Sequence, residues 1–250
     1  MNNKITFQEI KAVQDDTSNY APNYYPLRYV SSYISYFFVR FLPFITPNQI
    51  SILWGVIGLF SFWLISLGGY WNMVIGILVY HFAMLLDYVD GEVARATKRT
   101  TVGGSYLDGV FIYMFRGLML IALGIGVYNV SNKILYLYLG IFSSTLLVFD
   151  SLNKLKVYET MVGKSKSTLL KNIRRIYKLE NIQNFKGNFK QRIISYVIQL
   201  LRPNEMFSLS FFAIILNVPQ YYILLMAFIS LFVFMKNFIG IYKKIGNISS

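Results

Sequence analysis

Residues 85–112 read LLDYVDGEVARATKRTTVGGSYLDGVFI and join two long apolar runs of the chain. Three aspartates lie here among glycines and alanines: Asp87, Asp90 and Asp108. The whole chain has only 11 acidic residues in 250. Because ionisable residues within membrane spans are costly and mark functional positions, the stretch predicts a functional site where two helices meet.

Composition places the chain among integral membrane proteins. Hydrophobic residues make up 55% of it, charged residues 14%, and the mean hydropathy is +0.47. Soluble domains carry roughly 25% charged residues, and a soluble protein of this length could not bury so much apolar surface. The absence of cysteine excludes disulfides and thiolate metal sites. The net charge of +13 favours contact with anionic lipid over contact with nucleic acid.

The apolar runs predict an all-α fold with six transmembrane helices. A span needs about 20 mostly apolar residues, and the candidate runs are 48–68, 71–88, 105–128, 134–153, 205–216 and 221–242. Only NVPQ separates the last two, so one broken or re-entrant helix is the alternative there. Residues 26–44 mix polar and aromatic side chains, which predicts an amphipathic helix in the membrane interface. An additional short span is the alternative, and Arg28 and Arg40 disfavour it.

The distribution of lysine and arginine predicts the orientation. The connections GGYW, YNVSN and NVPQ contain neither residue, whereas 95–99 and 154–202 are basic. Since basic loops face the cytoplasm, we expect both termini and the aspartates on the cytoplasmic side of a bacterial inner membrane. Residues 1–250 then form one membrane domain. Its parts are a cytoplasmic N-terminus with the interfacial helix (1–45), spans one to four (46–153), a basic cytoplasmic segment (154–203), and spans five and six with a tail (204–250).

Helical geometry places the aspartates and the small residues on common faces. At about 100° per residue, with Asp87 set to zero, Asp90 falls at about −60°, Gly91 at about +40° and Ala94 at about −20°. On the next helix Gly104 and Asp108 are four residues apart and also share a face. If the two faces meet, three carboxylates converge.

Converging carboxylates in a low-dielectric place need a positive partner, because repulsion and desolvation otherwise protonate or expel them. A hard divalent cation such as Mg²⁺, Mn²⁺ or Ca²⁺ suits an all-oxygen ligand set. The small residues leave a gap beside this ion that suits a nucleoside diphosphate, and Arg95 and Lys98 add positive charge at its edge. The structural alternative is that the aspartates pair with basic residues and the small residues permit close helix packing.

The stretch resembles the signature of the CDP-alcohol phosphotransferases, the CDP-alcohol phosphatidyltransferase family. That signature is D-x-x-D-G-x-x-A-R, a spacer of about eight residues, and G-x-x-x-D-x-x-x-D. The positions that match are Asp87, Asp90, Gly91, Ala94, Arg95, Gly104 and Asp108. TPNQIS at 46–51 is similar to the family's usual start of the first span. One position departs, because Ile112 stands where the family has its last aspartate.

The resemblance implies transfer of a phosphoalcohol group from a CDP-alcohol donor, such as CDP-diacylglycerol or a soluble CDP-alcohol, to an acceptor hydroxyl with release of CMP. It implies Mg²⁺ or Mn²⁺ held by Asp87, Asp90 and Asp108, and a homodimer. It also implies a nucleotide site formed by four further residues, Gly91, Ala94, Arg95 and Gly104. A phospholipid product is favoured because the site opens at headgroup depth.

Ile112 leaves two functions open, because the family's last aspartate is its proposed general base. In the first, transfer proceeds without that base, with Asp108 or the metal activating the acceptor; His81 is disfavoured as a substitute because it lies about 120° around the helix from Asp87. In the second, the protein binds a CDP-alcohol without turning it over. A cation transporter is a third hypothesis, which is disfavoured because Arg116 is the only charged residue in 109–128.

Overall fold

The computed structural model describes residues 5–14, 25–162 and 206–246, and all regular elements in these ranges are α-helices. The helices are α1 (Phe7–Ala12), α2 (Tyr25–Phe41), α3 (Pro47–Ser66), α4 (Tyr70–Ala96), α5 (Val102–Ser131), α6 (Ile134–Val162), α7 (Met206–Ile215) and α8 (Pro219–Gly246). The predicted all-α class is confirmed for these residues. Most of the predicted basic segment 154–203 lies outside them, apart from its first residues, which continue α6.

Four helices are long and apolar enough to cross a membrane: Pro47–Ser66, Tyr70–Ala96, Val102–Ser131 and Pro219–Gly240. Their composition indicates a membrane protein. A fifth apolar stretch, Ile134–Asp150 in α6, is shorter. The ten residues of α7 rise about 15 Å, or half of a hydrocarbon core, and a turn containing Asn217 at φ 58° separates α7 from α8. The count of six spans therefore stays a prediction.

Helix α3 lies between α4 and α5 and packs against both. Its glycines make this possible, because aromatic rings of α5 occupy the space beside them. A Cβ at Gly58 would lie 2.1 Å from the Phe115 ring, and one at Gly55 would lie 2.5 Å from the Phe111 ring. Although α4 and α5 are consecutive in the chain, they make few close backbone contacts with each other. The aspartate motif thus spans two helices that are braced by a third.

Helix α5 packs closely against α6, and α6 packs against α8. At the α5–α6 crossing the two backbones approach at Gly124 and Gly140, where a Cβ on Gly140 would lie 2.6 Å from the carbonyl oxygen of Leu120. The fully buried side chains at the centre of the bundle include Trp54, Ile65, Ile77, Met119, Leu120, Leu123, Ile223 and Met226. This apolar core positions the polar end of α4 and α5.

Helix α2 packs against α4 with its polar face inward. Its buried side chains are polar, and its exposed side chains are aromatic or aliphatic except for Arg40 near the C-terminal end. The buried ones are Arg28, Ser31, Ser32 and Ser35, and the exposed ones include Tyr29, Val30, Tyr33, Phe37 and Phe41. An apolar outer face is what a helix in a membrane interface presents to lipid; the interfacial position itself stays a prediction.

Candidate functional site

Helix α4 carries the first half of the motif without interruption. The apolar run ends at residue 88, but the helix continues to Ala96, so Asp87, Asp90 and Arg95 lie on one regular helix. The second half begins at the start of α5, where the hydroxyl of Thr101 caps the helix by accepting a hydrogen bond of 3.0 Å from the backbone N–H of Gly104. An N-terminal cap of this kind fixes the first turn of a helix.

Asp90 is held in place from α3. Its side chain is 7% exposed, and its Oδ2 accepts hydrogen bonds from the hydroxyl of Ser51 and, at 3.1 Å, from the indole N–H of Trp54. Ser51 is the last residue of TPNQIS, which connects this stretch with the acidic motif. Two donors on a neighbouring helix offset part of the cost of burying this carboxylate.

The carboxylates of Asp87 on α4 and Asp108 on α5 approach each other, and Asp90 lies close enough for all three to interact electrostatically. The Oδ1 atom of Asp108 is buried and has no hydrogen-bond partner. A buried acceptor without a donor is costly. The three predicted ligands are thus brought to one place, with one oxygen that lacks a partner.

The donor set fits a hard cation in its chemistry, because it consists of carboxylate oxygens. Nevertheless, in the ranges that the structure describes, no group of three or more histidine, cysteine, aspartate or glutamate side chains already has the arrangement of a metal site. One oxygen of Asp90 is engaged by Ser51 and Trp54. Sharing an ion would therefore require side-chain rotation of the carboxylates, and the metal role of these residues stays a prediction.

Polar side chains of the protein partly fill the space beside the motif's small residues. A Cβ at Gly91 would lie 3.3 Å from a terminal nitrogen of Arg95, and one at Gly104 would lie 2.8 Å from Oδ1 of Asn48. Ala94 is half-buried on the same stretch of α4. The Nε of Arg95 donates a 2.9 Å hydrogen bond to the carbonyl of Val13. The side chain of Arg95 thus lies beside Gly91, and that of Asn48 on α3 lies beside Gly104.

Ile112 lies one helical turn beyond Asp108 on α5 and is half-buried. Its side chain has no proton-accepting atom. His81 does not replace it, because a ring nitrogen of His81 contacts the carbonyl of Ile77 at 2.8 Å and the ring packs against Phe211 of α7 at 5.0 Å between centroids. This supports the expectation that His81 faces away from the aspartates.

Glu92 is a buried residue of the motif helix whose importance the sequence did not reveal. It is 0% exposed, and it accepts hydrogen bonds from the hydroxyls of Ser31 (2.5 Å) and Ser35 (2.6 Å) and from the amide of Gln14 (2.9 Å). Ser31 and Ser35 are four residues apart on α2 and therefore lie on one face of the helix. This spacing is the one feature of the sequence from which a shared hydrogen-bond partner could have been inferred. Glu92 ties α2 and the segment after α1 to the motif helix.

Comparison with known proteins identifies the family. Residues 44–201 match the family model described as CDP-alcohol phosphatidyltransferase. The chain belongs to this family. The resemblance inferred from the motif is therefore confirmed, and the matched region includes α3, α4, α5 and α6. Members of the CDP-alcohol phosphatidyltransferase family transfer a phosphoalcohol group from a CDP-alcohol donor to a hydroxyl acceptor and in general depend on a divalent metal.

Two bifunctional relatives match about a quarter of the chain. A protein of Aquifex aeolicus named bifunctional IPC transferase and DIPP synthase is 42% identical over 65 residues, which are 26% of this chain and 14% of the relative. A protein of the same name from Archaeoglobus fulgidus is 32% identical over 66 residues, which are 26% of this chain and 13% of the relative. The matched segments are a small part of those longer proteins.

The contacts of Glu92 lead to a stability prediction. Glu92→Ala removes the acceptor that the side chains of Gln14, Ser31 and Ser35 share, and we expect it to lower the free energy of unfolding by about 2 kcal/mol or more. Glu92→Gln is the matched control, because it keeps the shape and one acceptor oxygen, and it should cost less. Unfolding of the purified protein in detergent, followed by circular dichroism, measures both. Equal unfolding midpoints for Glu92→Ala and the unaltered protein would contradict the role given to Glu92.

Proposed function

We propose that the protein transfers a phosphoalcohol group from a CDP-alcohol to an acceptor hydroxyl and releases CMP. One observation carries the proposal: the carboxylates of Asp87 and Asp90 on α4 and of Asp108 on α5 lie close enough to interact electrostatically, and the buried Oδ1 of Asp108 lacks a hydrogen-bond partner. In a member of this family, a divalent cation and the diphosphate that it binds are the natural partners of such a carboxylate cluster.

The residues of the site divide into metal ligands and nucleotide contacts. Asp87, Asp90 and Asp108 would hold Mg²⁺ or Mn²⁺, which when bound would neutralise the donor's diphosphate and polarise its β-phosphorus. The cytidine would lie beside Gly91, Ala94 and Gly104 once the side chains of Arg95 and Asn48 have shifted, and the terminal nitrogens of Arg95 would donate to phosphate oxygens. Ser51 and Trp54 keep Asp90 oriented, as outer-shell donors do for metal ligands.

In the proposed reaction the acceptor oxygen bonds to the β-phosphorus of the donor, and the bond from that phosphorus to the oxygen of CMP breaks. The hydroxyl proton passes to a carboxylate, for which Asp108 is the candidate because Ile112 cannot accept one. Phosphoryl transfer depends mainly on positioning and charge neutralisation. A site without the family's last aspartate can therefore retain some turnover.

The setting of the reaction follows from composition and charge. The aspartates lie on α4 and α5 near the connection that carries Arg95, Lys98 and Arg99, and such basic connections face the cytoplasm. We infer an active site at the cytoplasmic leaflet of a bacterial inner membrane, both termini on the same side, a homodimer, and a lipid product. The names of the two bifunctional relatives, which include a transferase, support group transfer as the reaction class.

A second function, binding of a CDP-alcohol without turnover, is favoured by one observation. Ile112 removes the position from which a base would act, while the residues that bind metal and nucleotide are retained. The two functions differ in whether CMP is released.

The first test concerns the replaced base. A positioned base contributes roughly 10²–10⁴-fold to a rate, so we expect Ile112→Asp to raise CMP release about 10²-fold or more. Ile112→Asn is the matched control, because it has the size of aspartate but accepts no proton, and it should not raise the rate. The assay uses the purified full chain with Mg²⁺ or Mn²⁺ and a matrix of CDP-alcohol donors and alcohol acceptors. If Ile112→Asp gives CMP and the unaltered chain does not, the protein is a binder; if neither does with any pair, the proposed chemistry is wrong.

The second test concerns the metal ligands. Asp108→Asn removes one ligand charge, and we expect CMP release to fall to background, as it should also in the presence of EDTA. Asp150→Asn on α6 is the matched control, since Asp150 is also buried but accepts a hydrogen bond of 2.8 Å from Asn237 on α8. Turnover of Asp108→Asn at the rate of Asp150→Asn would exclude Asp108 from the reaction. Where the unaltered chain releases no CMP, the comparison is made in the Ile112→Asp background.

A further inference from the structure

A basic side chain of α2 reaches the edge of the aspartate site. Arg28 is 5% exposed, and its guanidinium carbon lies 4.6 Å from the centroid of the Tyr88 ring on α4. Tyr88 is next to Asp87 in the chain, and the charge of Arg28 acts on the Asp87 carboxylate. This cation comes from outside the family motif, and its burial means that it is directed into the protein rather than towards the lipid surface.

The position of Arg28 is fixed by the hydrogen bonds around Glu92. The amide nitrogen of Gln14 donates 2.9 Å hydrogen bonds both to the carbonyl of Arg28 and to Glu92. Ser31, three residues further along α2, donates to Glu92 as well. These hydrogen bonds therefore hold the turn of α2 that carries Arg28 against α4, within one helical turn of Asp90. The backbone at Arg28 consequently has little freedom to move.

An additional cationic residue near the aspartates is needed once a CDP-alcohol donor binds. A single divalent ion cannot neutralise three carboxylates and a diphosphate together, and the motif's own arginine, Arg95, already uses its Nε on the carbonyl of Val13. A guanidinium is planar, permanently charged and weakly hydrated, and it matches the oxygens of a phosphate with paired donors. Stacking on Tyr88 presents Arg28 in a defined orientation.

We propose that Arg28 is a further substrate-binding residue, which contacts the diphosphate of the CDP-alcohol donor once a metal ion has taken over the charge of the aspartates. This inference rests on the proposed function. The competing role for Arg28 is that of a counterion that only neutralises Asp87. The two roles differ when Mg²⁺ is saturating, because a mere counterion is then no longer needed.

The test measures CDP binding to the purified full chain by isothermal titration calorimetry at saturating Mg²⁺. We expect Arg28→Gln to weaken CDP binding about tenfold or more, as the loss of hydrogen bonds to a charged group does. Arg28→Lys should recover part of the affinity. Arg40→Gln is the matched control, because Arg40 lies exposed at the other end of α2, and its CDP affinity should be unchanged. Affinity for Mg²⁺ alone should not fall in Arg28→Gln, since a neighbouring positive charge is removed.

The outcomes separate this inference from the proposed function. If the unaltered chain binds CDP and Arg28→Gln binds it equally well, Arg28 is not a substrate contact and the proposed function stands. If the unaltered chain does not bind CDP with Mg²⁺, the proposed function fails and this inference fails with it. If Arg28→Gln does not fold, Arg28→Lys decides: an unchanged CDP affinity overturns the proposal, because a lysine cannot reproduce the paired donors of a guanidinium.

Discussion

The placement of α3 between α4 and α5 is the constraint on which the site depends. Three aspartates at the polar end of apolar helices repel one another and lose hydration, so direct contact between α4 and α5 would be unfavourable without a cation. Here α3 keeps the two helices apart, with Phe111 and Phe115 of α5 seated on its glycines. It also supplies Ser51 and Trp54 to Asp90. The positions of the carboxylates thus depend on the apolar packing of α3 against α4 and α5.

The N-terminal part of the chain completes the polar end of the bundle. Helix α2 turns its serines and Arg28 inward and its aromatic residues outward, which is the reverse of a helix in a soluble protein. The arrangement is stable because Glu92 on α4 accepts hydrogen bonds from this polar face. Val13 adds a contact to Arg95, so the segment after α1 reaches two residues of the motif helix. The proposed substrate contacts and the structural contacts are therefore adjacent along α4.

The local features of the fold could be predicted from the sequence, and the contacts between distant segments could not. The spacing of Asp87 and Asp90 placed them on one helical face, and the signature to which Asp108 belongs identified the family. By contrast, nothing in the sequence pairs Ser51 and Trp54 with Asp90, because that contact depends on how α3 crosses α4. From the sequence alone, Glu92 likewise looks like an ordinary polar residue, because its hydrogen bonds depend on how α2 packs against α4. Hydropathy alone does not fix the number of spans, since the length of short apolar runs such as 205–216 does not decide whether they cross the membrane.

The central claim is that Asp87, Asp90 and Asp108 hold one divalent ion that in turn binds the diphosphate of a cytidine nucleotide. The most direct measurement is electron paramagnetic resonance of Mn²⁺ bound to the purified protein, recorded before and after addition of CDP. The account predicts a bound Mn²⁺ signal that CDP alters, and that is lost when Asp87 is replaced by asparagine. A bound signal that persists in Asp87→Asn, or one that CDP leaves unchanged, would contradict it.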